Sequence, residues 1–321
     1  MVALVKSFAA PASHSRSEFE ADVIAGLSRD PKSIPPKYFY DAEGSRLFEE
    51  ITQLPDYYLT RTETEILTAH ARELNAFIPQ GAALVEFGSG ACIKVQILLD
   101  NVPGIAAYLP VDISGEFLKG EAERVSASYP RLAVHPVMAD FTKPFELPAE
   151  FATMPKAGFF PGSTIGNFEP HDAVAFMRHA AATIGHGGVL VMGVDLVKDP
   201  AILNAAYNDA AGITDKFNLN LLRRINRELE GNFDLQAFEH HAVYNRERRR
   251  IEMHLASKKR QKVTVAGRMF TFRAGESIHT ENSYKYTQGS FAALARGCGW
   301  TPEIAWTDEA ELFAVYVLRS R

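Results

Sequence analysis

The sequence predicts an α/β protein built on a doubly wound parallel sheet. Short apolar runs have the length of buried strands at five places: 83–87, 106–112, 132–138, 157–161 and 189–194. Patterns typical of amphipathic helices separate most of these runs: 94–101, 116–128 and 172–184. Because strands that alternate with helices form parallel sheets covered on both faces, we expect such a sheet here.

The N-terminal part of the chain has a different, mostly helical pattern. Helices are predicted at 19–27 and 45–54, with a proline-rich joint between them. Thr60 and Glu63 then have the spacing of a capping box, in which a hydroxyl and a carboxylate bind free amides at a helix start. We expect a long amphipathic helix to begin there and to end near Phe77.

The alternation of strands and helices stops after residue 195 and resumes near residue 288. Asp199 and Pro200 form a good helix start, and helical patterns extend to about residue 230. Alternating apolar and polar residues then predict antiparallel strands: 242–245, 250–257, 261–266 and 269–272.

The C-terminal segment predicts one more helix and two strands: 289–298, 302–306 and 312–318. We therefore expect two domains. The first would consist of residues 61–195 and 288–321. The second, an α+β domain for the substrate, would consist of residues 1–60 and 196–287.

Composition and charge exclude several classes of protein. The chain has 321 residues, 46% of them hydrophobic, and its formal net charge is −5, so no positive field would attract nucleic acid or an anionic membrane. No apolar run reaches the length of about 18 residues that a membrane span needs, and the N-terminus does not resemble a signal peptide. Two cysteines form no disulfide framework or metal knuckle. We expect a cytoplasmic monomer without a metal.

A glycine-rich turn, Val85–Gly90, follows the first predicted strand of the sheet. Glycines allow a tight turn and let a ligand approach the backbone at the end of a parallel strand. A plain strand-to-helix turn without a ligand is the alternative. A dinucleotide motif would need a third glycine where this chain has Ile93, and Glu86 suits a sulfonium better than a pyrophosphate.

Acidic residues also end the next two predicted strands. Asp112 could accept hydrogen bonds from two ribose hydroxyls. Asp140 could bind an adenine amino group while the ring of Phe141 covers the base. An isolated aspartate in such a place is ordinarily a helix N-cap, but three acids at three successive strand ends favour S-adenosylmethionine as the ligand.

Six longer segments carry a resemblance to a known family: Pro35–Asp41, Leu54–Glu63, Gly162–Asn167, Asp195–Asp199, Ala206–Gly212 and Arg250–Met253. From about residue 30 to the C-terminus, the chain resembles the L-histidine Nα-methyltransferases of ergothioneine biosynthesis. The resemblance implies a class I methyltransferase fold, in which the last strand inserts antiparallel, and S-adenosylmethionine as methyl donor. The chain differs from the family pattern at Tyr38, where tryptophan is expected, and at residues 91–93 after the glycine turn.

The resemblance implies a role for each matching residue. The residues expected to bind the cofactor are Gly88, Lys94, Asp112, Asp140 and Phe141. Those expected to bind the amine and carboxylate of the amino acid are Tyr57, Asn167 and Tyr207. Those expected to surround the imidazole ring are Tyr40, Met253, Glu281 and Ser283. Asn167 and Tyr40 are the expected catalytic residues.

These residue types suit a zwitterion with an imidazole ring. Tyrosine hydroxyls and an asparagine amide both donate and accept, as a zwitterionic head group requires. Glu281 could accept from the ring N–H while Ser283 or Tyr40 donates to the other nitrogen. Glu281 and Ser283 stand two residues apart in an extended segment and so point the same way. The tyrosines could instead be ordinary half-buried residues, and Met253 could be core packing.

The expected reaction is direct transfer of a methyl group to the neutral α-amine, three times, with positioning of the amine as most of the catalytic work. Two other classes of protein are weighed against it. A dinucleotide-dependent oxidoreductase is disfavoured by the missing third glycine. A non-catalytic binding protein is disfavoured because Asn167, Tyr207 and Glu281 are all present. Within the methyltransferases, the alternative substrate is another amino acid or a small amine.

Overall fold

A computed structural model describes residues 16–89, 93–113 and 115–321 of the chain. Gly90 of the glycine turn, residues 91 and 92 after it, and the first 15 residues lie outside the described residues. The helices, in chain order, are α1 (Arg16–Leu27), α2 (Ala42–Thr52), α3 (Tyr58–His70), α4 (Ile93–Asn101), α5 (Gly115–Ser128), α6 (Pro170–Ile184), α7 (Pro200–Tyr207), α8 (Ile213–Glu228) and α9 (Gln288–Gly297).

The strands, in chain order, are β1 (Lys32–Ser33), β2 (Ala82–Phe87), β3 (Ile105–Asp112), β4 (Ala133–Val134), β5 (Val137–Met138), β6 (Lys156–Phe160), β7 (Val189–Asp195), β8 (Phe238–Asn245), β9 (Arg250–Ser257), β10 (Gln261–Val265), β11 (Arg268–Phe272), β12 (Ser277–Tyr284), β13 (Trp300–Thr307) and β14 (Phe313–Ser320). The predicted strand at 250–257 has the same bounds as β9, because the large apolar residues Ile251, Met253 and Leu255 stand at every second position.

The main sheet has the strand order β13-β14-β7-β6-β2-β3-β4, and β5 also pairs with β3. Strands β2, β3, β6 and β7 are parallel, whereas β14 is antiparallel to both β7 and β13. Neighbouring residues of β2 enter two different apolar cores, Leu84 on one face and Val85 on the other. Both faces are therefore covered, which confirms the predicted doubly wound α/β sheet and its antiparallel last strand.

A second sheet has the order β1-β12-β9-β8. Its edge strand β1 comes from the N-terminal segment, with Lys32 opposite Ile278 in a parallel pairing. Helix α2 packs against α8, so the same two parts of the chain also meet through their helices. Strands β10 and β11 form a separate hairpin. In the described residues, no helix is long and apolar enough to cross a membrane.

Two local predictions are wrong. Helix α3 begins at Tyr58 and ends at His70, so Thr60 lies inside it and caps nothing. The reason is that the Glu63 carboxylate is buried and accepts the Gly162 amide at 2.8 Å, a tertiary bond that replaces the predicted local one. The predicted strand at 132–138 is two short strands, because Pro136 between them has no amide to donate to the ladder.

Candidate active site

The carboxyl ends of the parallel strands meet at one edge of the main sheet. Gly88, just after β2, donates its amide to Val111 at 2.8 Å, next to Asp112 at the end of β3. The Asp112 carbonyl in turn accepts the amide of Ala139, the residue before Asp140. The structure therefore brings together, through backbone bonds between neighbouring strands, the cofactor residues that were predicted after β2, β3 and β5.

Gly88 has a positive φ of 74°, and a Cβ atom there would lie 3.1 Å from the ring of Phe141. Only glycine allows both the backbone conformation and this close approach of an aromatic ring. A backbone cradle, an aromatic face and the Asp112 carboxylate thus share one edge of the sheet. This set of groups fits a nucleoside ligand without phosphates, since it offers ring stacking and acceptors for hydroxyls.

The carboxylate of Asp140 has a local role in the structure. It accepts hydrogen bonds from the amide and hydroxyl of Thr142 at 3.0 and 2.5 Å, and Lys143 lies 3.0 Å from its other oxygen. Burial alone would raise the pKa of Asp140, but the bonds from Thr142 and Lys143 lower it overall. Asp140 therefore caps the turn that follows β5. Its side chain is still 31% exposed, and a carboxylate that accepts three bonds can accept one more from a ligand.

Lys94, in the first turn of α4, pairs with the buried carboxylate of Glu63. The two Glu63 oxygens also accept the amide of Gly162, which follows β6, at 3.0 and 2.8 Å. A Cβ on Gly193 would lie 1.9 Å from Glu63 Oε1, so this glycine leaves the carboxylate room to reach Gly162. Glu63, which sequence reasoning treated only as a helix cap, ties α3 to the start of α4 and the end of β6.

Glu86, which the sequence analysis expected beside a sulfonium, is buried in β2. The residue is 2% exposed, and its carboxyl group accepts a hydrogen bond from Tyr108. Burial raises the pKa of Glu86 to about 8, although the bond from Tyr108 acts in the opposite direction. A positive charge on a ligand beside this carboxyl group would favour its ionised form.

A small pocket lies between the helices of the N-terminal segment, α7, α8 and the second sheet. It is lined by Phe48, Ile51, Tyr57, Ala206, Tyr207, Thr214, Phe217, Met253 and Glu281. The predicted substrate residues Tyr57, Tyr207, Met253 and Glu281 thus line one cavity. Met253 and Glu281 are directly opposite each other on β9 and β12.

Glu281 is a buried carboxylate without a full set of partners. The residue is 8% exposed, and among the described residues its Oε2 atom has no hydrogen-bond partner. Burial raises the pKa of Glu281 to about 7, although the charge of Lys285 acts in the opposite direction. Because buried polar groups are ordinarily paired, this Oε2 atom marks a place where a ligand would supply the missing partner.

Ser283 is not among the residues that line this pocket, but it contacts Tyr207, which is. The Tyr207 hydroxyl donates to Ser283 Oγ at 2.8 Å, and Lys285 Nζ donates to Ser283 at 2.7 Å and to Tyr207 at 3.1 Å. Lys285 is fully buried and forms an ion pair of 2.6 Å with Asp195 at the end of β7. Sequence reasoning missed Lys285, although it continues the two-residue spacing of Glu281 and Ser283.

Asp195 is surrounded by donors. Besides Lys285, it pairs with Lys198 and accepts the hydroxyl of Tyr58 at 2.8 Å. Burial alone would raise the pKa of Asp195, but the two lysines lower it. Burial lowers the pKa of Lys198 to about 8, despite the attraction of Asp195. The cluster lies where the chain leaves the main sheet and returns to it, since Leu196 pairs with Tyr286.

Neither of the two expected catalytic residues, Tyr40 and Asn167, is among the residues that line the pocket. Tyr40 is 39% exposed, and its ring lies edge-on to the pocket residues Phe48 and Phe217, each at 5.8 Å. Desolvation, and then the charge of Glu281, raises the pKa of the Tyr40 hydroxyl well above its usual value. The charge of Asp112 acts on the Tyr40 hydroxyl in the same direction.

Asn167 ends a short 3-10 turn after β6 and is not among the residues that line the pocket. The neighbouring Gly166 approaches β12 so closely that a Cβ there would lie 2.7 Å from the carbonyl of Tyr284. Asn167 is therefore held between the end of β6 and the strand that carries Glu281. Across the part of the chain that the structure describes, no cluster of three or more His, Cys, Asp or Glu residues could hold a metal ion.

The fold and the cofactor edge together define a class of protein. The main sheet has its antiparallel strand β14 between β7 and β13, and a glycine cradle and a carboxylate follow neighbouring parallel strands. This combination is that of a class I S-adenosylmethionine-dependent methyltransferase.

Comparisons with known proteins identify the family within this class. The family model described as histidine-specific methyltransferase, SAM-dependent, matches residues 19–320. The chain is 41% identical to the histidine N-alpha-methyltransferase of Mycolicibacterium smegmatis over 304 residues, which is 92% of each protein. It is 33% identical over 302 residues to ergothioneine biosynthesis protein 1 of Neurospora crassa, covering 91% of this chain and 34% of that protein. The chain belongs to the histidine-specific, S-adenosylmethionine-dependent methyltransferase family, and S-adenosylmethionine is its cofactor.

Proposed function

We propose that this protein transfers methyl groups from S-adenosylmethionine to the α-amino nitrogen of L-histidine. Three transfers give Nα,Nα,Nα-trimethylhistidine (hercynine), for ergothioneine biosynthesis. The observation that carries the proposal is the unpaired, buried carboxylate of Glu281 in a pocket walled by Met253. An imidazole ring has an N–H to offer this carboxylate, whereas an apolar side chain would leave it desolvated and unpaired. The name of the Mycolicibacterium smegmatis relative agrees with this substrate.

We assign cofactor binding to residues along the carboxyl edge of the main sheet: Gly88, Lys94, Asp112, Asp140 and Phe141. The cofactor, when bound, supplies an electrophilic methyl group on a sulfonium. The positive φ of Gly88 and the ring of Phe141 against it support a stacked base at this place. Asp112, at the end of β3, has acceptor oxygens for ribose hydroxyls.

We assign the head group of histidine to Tyr57, Asn167 and Tyr207, and the ring to Tyr40, Met253, Glu281 and Ser283. Asn167 follows the carboxyl end of β6, and its neighbour Gly166 packs against β12, the strand that carries Glu281; this placement supports a role in orienting the amine toward the methyl group. The raised pKa of Tyr40 keeps its hydroxyl protonated at neutral pH, so Tyr40 acts as a hydrogen-bonding group and not as the base. The reaction ends at the trimethylated product because a quaternary nitrogen has no lone pair.

We propose that the two parts of the chain divide this work. Residues 61–195 and 288–321 would bind the cofactor, and residues 1–60 and 196–287 would bind the substrate. Support comes from the pairing of β1 with β12 and from the packing of α2 against α8. The pocket residues support the same division, since most of them come from α2, α7, α8 and the second sheet.

We further propose that the protein is a monomer. The exposed large apolar residues of the described chain lie on separate elements: Tyr40, Met138, Ile202, Val243 and Met269. Single exposed apolar residues of this kind are normal on a monomer and do not form a stable interface. The cytoplasmic location stays a prediction from the sequence.

The proposed function is tested by offering the purified protein S-adenosylmethionine and an equimolar mixture of the amino acids and small amines. Masses of the products are then recorded over time. We expect mono-, di- and trimethylated histidine to appear in that order, and no other substrate to be methylated at a comparable rate. Methylation of a different amino acid or of a small amine, with histidine unchanged, would overturn the proposal. Asn167→Ala should abolish the reaction, whereas Glu239→Ala, at an exposed residue of β8, should not affect it.

A further inference from the structure

The ring of His240, on β8, is bonded at both of its nitrogen atoms. Nε2 lies 2.8 Å from the backbone carbonyl of Tyr207, and Nδ1 lies 2.8 Å from the side-chain amide nitrogen of Asn218. A carbonyl can only accept a hydrogen bond, so Nε2 carries the hydrogen, and Nδ1 of a neutral imidazole then accepts from Asn218. Burial lowers the pKa of His240, which favours this neutral form. The direction of both bonds is therefore fixed.

Asn218, in the middle of α8, connects this ring to two further strands of the second sheet. The residue is fully buried, and its amide nitrogen also donates to the carbonyl of His254 on β9 at 3.0 Å. Its amide oxygen accepts the hydroxyl of Thr280 on β12 at 2.9 Å. One side chain thus bonds to three neighbouring strands. Its amide group is fixed in direction, because a rotated amide would place its oxygen against the carbonyl of His254.

The carbonyl that His240 binds belongs to a residue that lines the pocket. Tyr207 ends α7, and the last carbonyls of a helix have no partner within the helix. The hydroxyl of Tyr207 donates to Ser283 on β12 at 2.8 Å. His240 therefore fixes the backbone end of a side chain whose other end is held by β12.

The other end of the network holds an irregularity in β12. Thr280 is an extra residue in this strand, because the residues on either side of it are opposite the consecutive residues His254 and Met253 of β9. Such a bulge changes the direction of neighbouring side chains and is common next to functional sites. Glu281, the next residue, lines the pocket. Since the Thr280 hydroxyl donates to Asn218, helix α8 holds the bulge in place.

We propose that His240 is a positioning residue, held by Asn218, that fixes Tyr207 relative to the strand of Glu281. Neither His240 nor Asn218 is among the residues that line the pocket, so both act through the residues that they hold. The inference rests on the proposed function, in which Tyr207 binds the head group of histidine and Glu281 binds the ring. The network joins, behind the wall of the pocket, the two residues that the substrate joins inside it.

Two substitutions of His240 separate its two bonds. In His240→Gln the amide nitrogen stands as far along the side chain as Nε2, so it can still donate to the Tyr207 carbonyl. In His240→Asn the amide oxygen stands as far along as Nδ1, so it can still accept from Asn218, but the side chain is too short to reach Tyr207. Both replacements are neutral amides. His241→Asn, at an exposed residue on the opposite face of β8, is the matched control.

Steady-state kinetics with S-adenosylmethionine and histidine test the proposal. We expect His240→Asn to lower kcat/KM for histidine at least about tenfold, because a small displacement of a positioned substrate costs much of the rate. His240→Gln should stay within about threefold of the wild type. The KM for S-adenosylmethionine should be unchanged in both variants. Calorimetric titration with S-adenosylhomocysteine gives the concentration of folded enzyme, so that a loss of folded protein does not count as a loss of activity.

The inference is overturned if His240→Gln and His240→Asn have the same kcat/KM for histidine, or if His241→Asn loses as much as His240→Asn. Asn218→Ala, which releases the ring, should lower kcat/KM by a factor similar to that of His240→Asn, and the double variant should lose little more. Fully additive losses would also overturn the inference. Should Asn218→Ala fail to fold, the two His240 variants decide the question alone.

Failure of this inference is distinguishable from failure of the proposed function. If the wild type does not methylate histidine, the proposed function fails. If it does and the two His240 variants behave alike, only the inference fails.

Discussion

Asp195 and Glu281 are both buried carboxylates that interact with Lys285, yet their surroundings differ. Asp195 has two lysines and the Tyr58 hydroxyl around it, and its pKa is lowered. Glu281 has one oxygen without a partner in the described residues, and burial raises its pKa to about 7. The fold therefore pairs the carboxylate that joins its two sheets and leaves unpaired the one for which we propose a substrate as partner.

From this difference we expect Asp195 to contribute mainly to stability and Glu281 mainly to function. A buried carboxylate that is fully paired contributes to the folded state mainly through the cost of disturbing it. An unpaired one destabilises the free protein and is tolerated at sites where a ligand supplies the partner. The predictions that follow change one residue at a time: these two carboxylates, and Asp112, which we propose binds the cofactor.

The largest expected effect is on folding, from Asp195→Ala. This change leaves Lys198 and Lys285 buried without their shared counter-charge, and such losses cost roughly 3–5 kcal/mol. Urea unfolding at pH 7 measures the free energy of unfolding of the variant and of Glu239→Ala, an exposed control on β8 that should change it by less than about 0.5 kcal/mol. A loss below about 1 kcal/mol for Asp195→Ala would show that the cluster is not structurally important.

A smaller effect of opposite sign is expected from Glu281→Gln in the free protein. The pKa of Glu281 is about 7 in the folded state, whereas its ordinary value is 4.5, so folding disfavours the ionised form. The destabilisation is absent below the unfolded pKa, grows as the pH rises from 4.5 to 7 and is fully present above the folded pKa. Glu281→Gln should therefore increase the free energy of unfolding by roughly 2–3 kcal/mol at pH 8 and by less than about 1 kcal/mol at pH 5. Equal effects at the two pH values would contradict the assignment of an ionisable, unpaired Glu281.

Asp112→Ala tests whether a residue at the cofactor edge affects cofactor affinity without affecting histidine affinity. If Asp112 binds the ribose, the variant should bind S-adenosylmethionine more weakly by roughly 1.5–3 kcal/mol, the scale of a lost hydrogen bond to a charged group. Titration calorimetry measures this affinity, and histidine affinity at saturating S-adenosylhomocysteine is the internal control that should stay unchanged. Wild-type affinity for the cofactor in the variant would remove Asp112 from the site.

The sequence was a good guide to the main sheet because its central strands are buried on both faces. All residues of β2 are buried, and such a strand is visible as a continuous apolar run. Predictions from local patterns were wrong where a contact with a distant residue determines the structure. Glu63, for example, binds the Gly162 amide instead of capping its helix. Pro136 interrupted a strand that apolarity alone predicted to be continuous.

The pocket could not be derived from spacing, because its residues come from elements far apart in the chain. Glu281 and Ser283 share a face by the two-residue period of a strand, and that much is local. Their proximity to Tyr57 and Tyr207 depends on packing between helices and the second sheet. Only the family resemblance predicted that these residues belong to one site. Thr214 had no signal at all, since a threonine in the first turn of a helix is ordinary.

The central claim is that the unpaired carboxylate of Glu281 makes the pocket selective for histidine. A competition assay with histidine, phenylalanine and tryptophan, in which methylated products are quantified by mass, tests this claim in Glu281→Ala. The variant should lower kcat/KM for histidine at least about tenfold, or 1.4 kcal/mol, and raise the ratio of either aromatic amino acid to histidine. Glu239→Ala is the matched control and should leave the ratios as they are. If Glu281→Ala keeps the wild-type preference for histidine, Glu281 does not recognise the imidazole and the account of specificity is wrong.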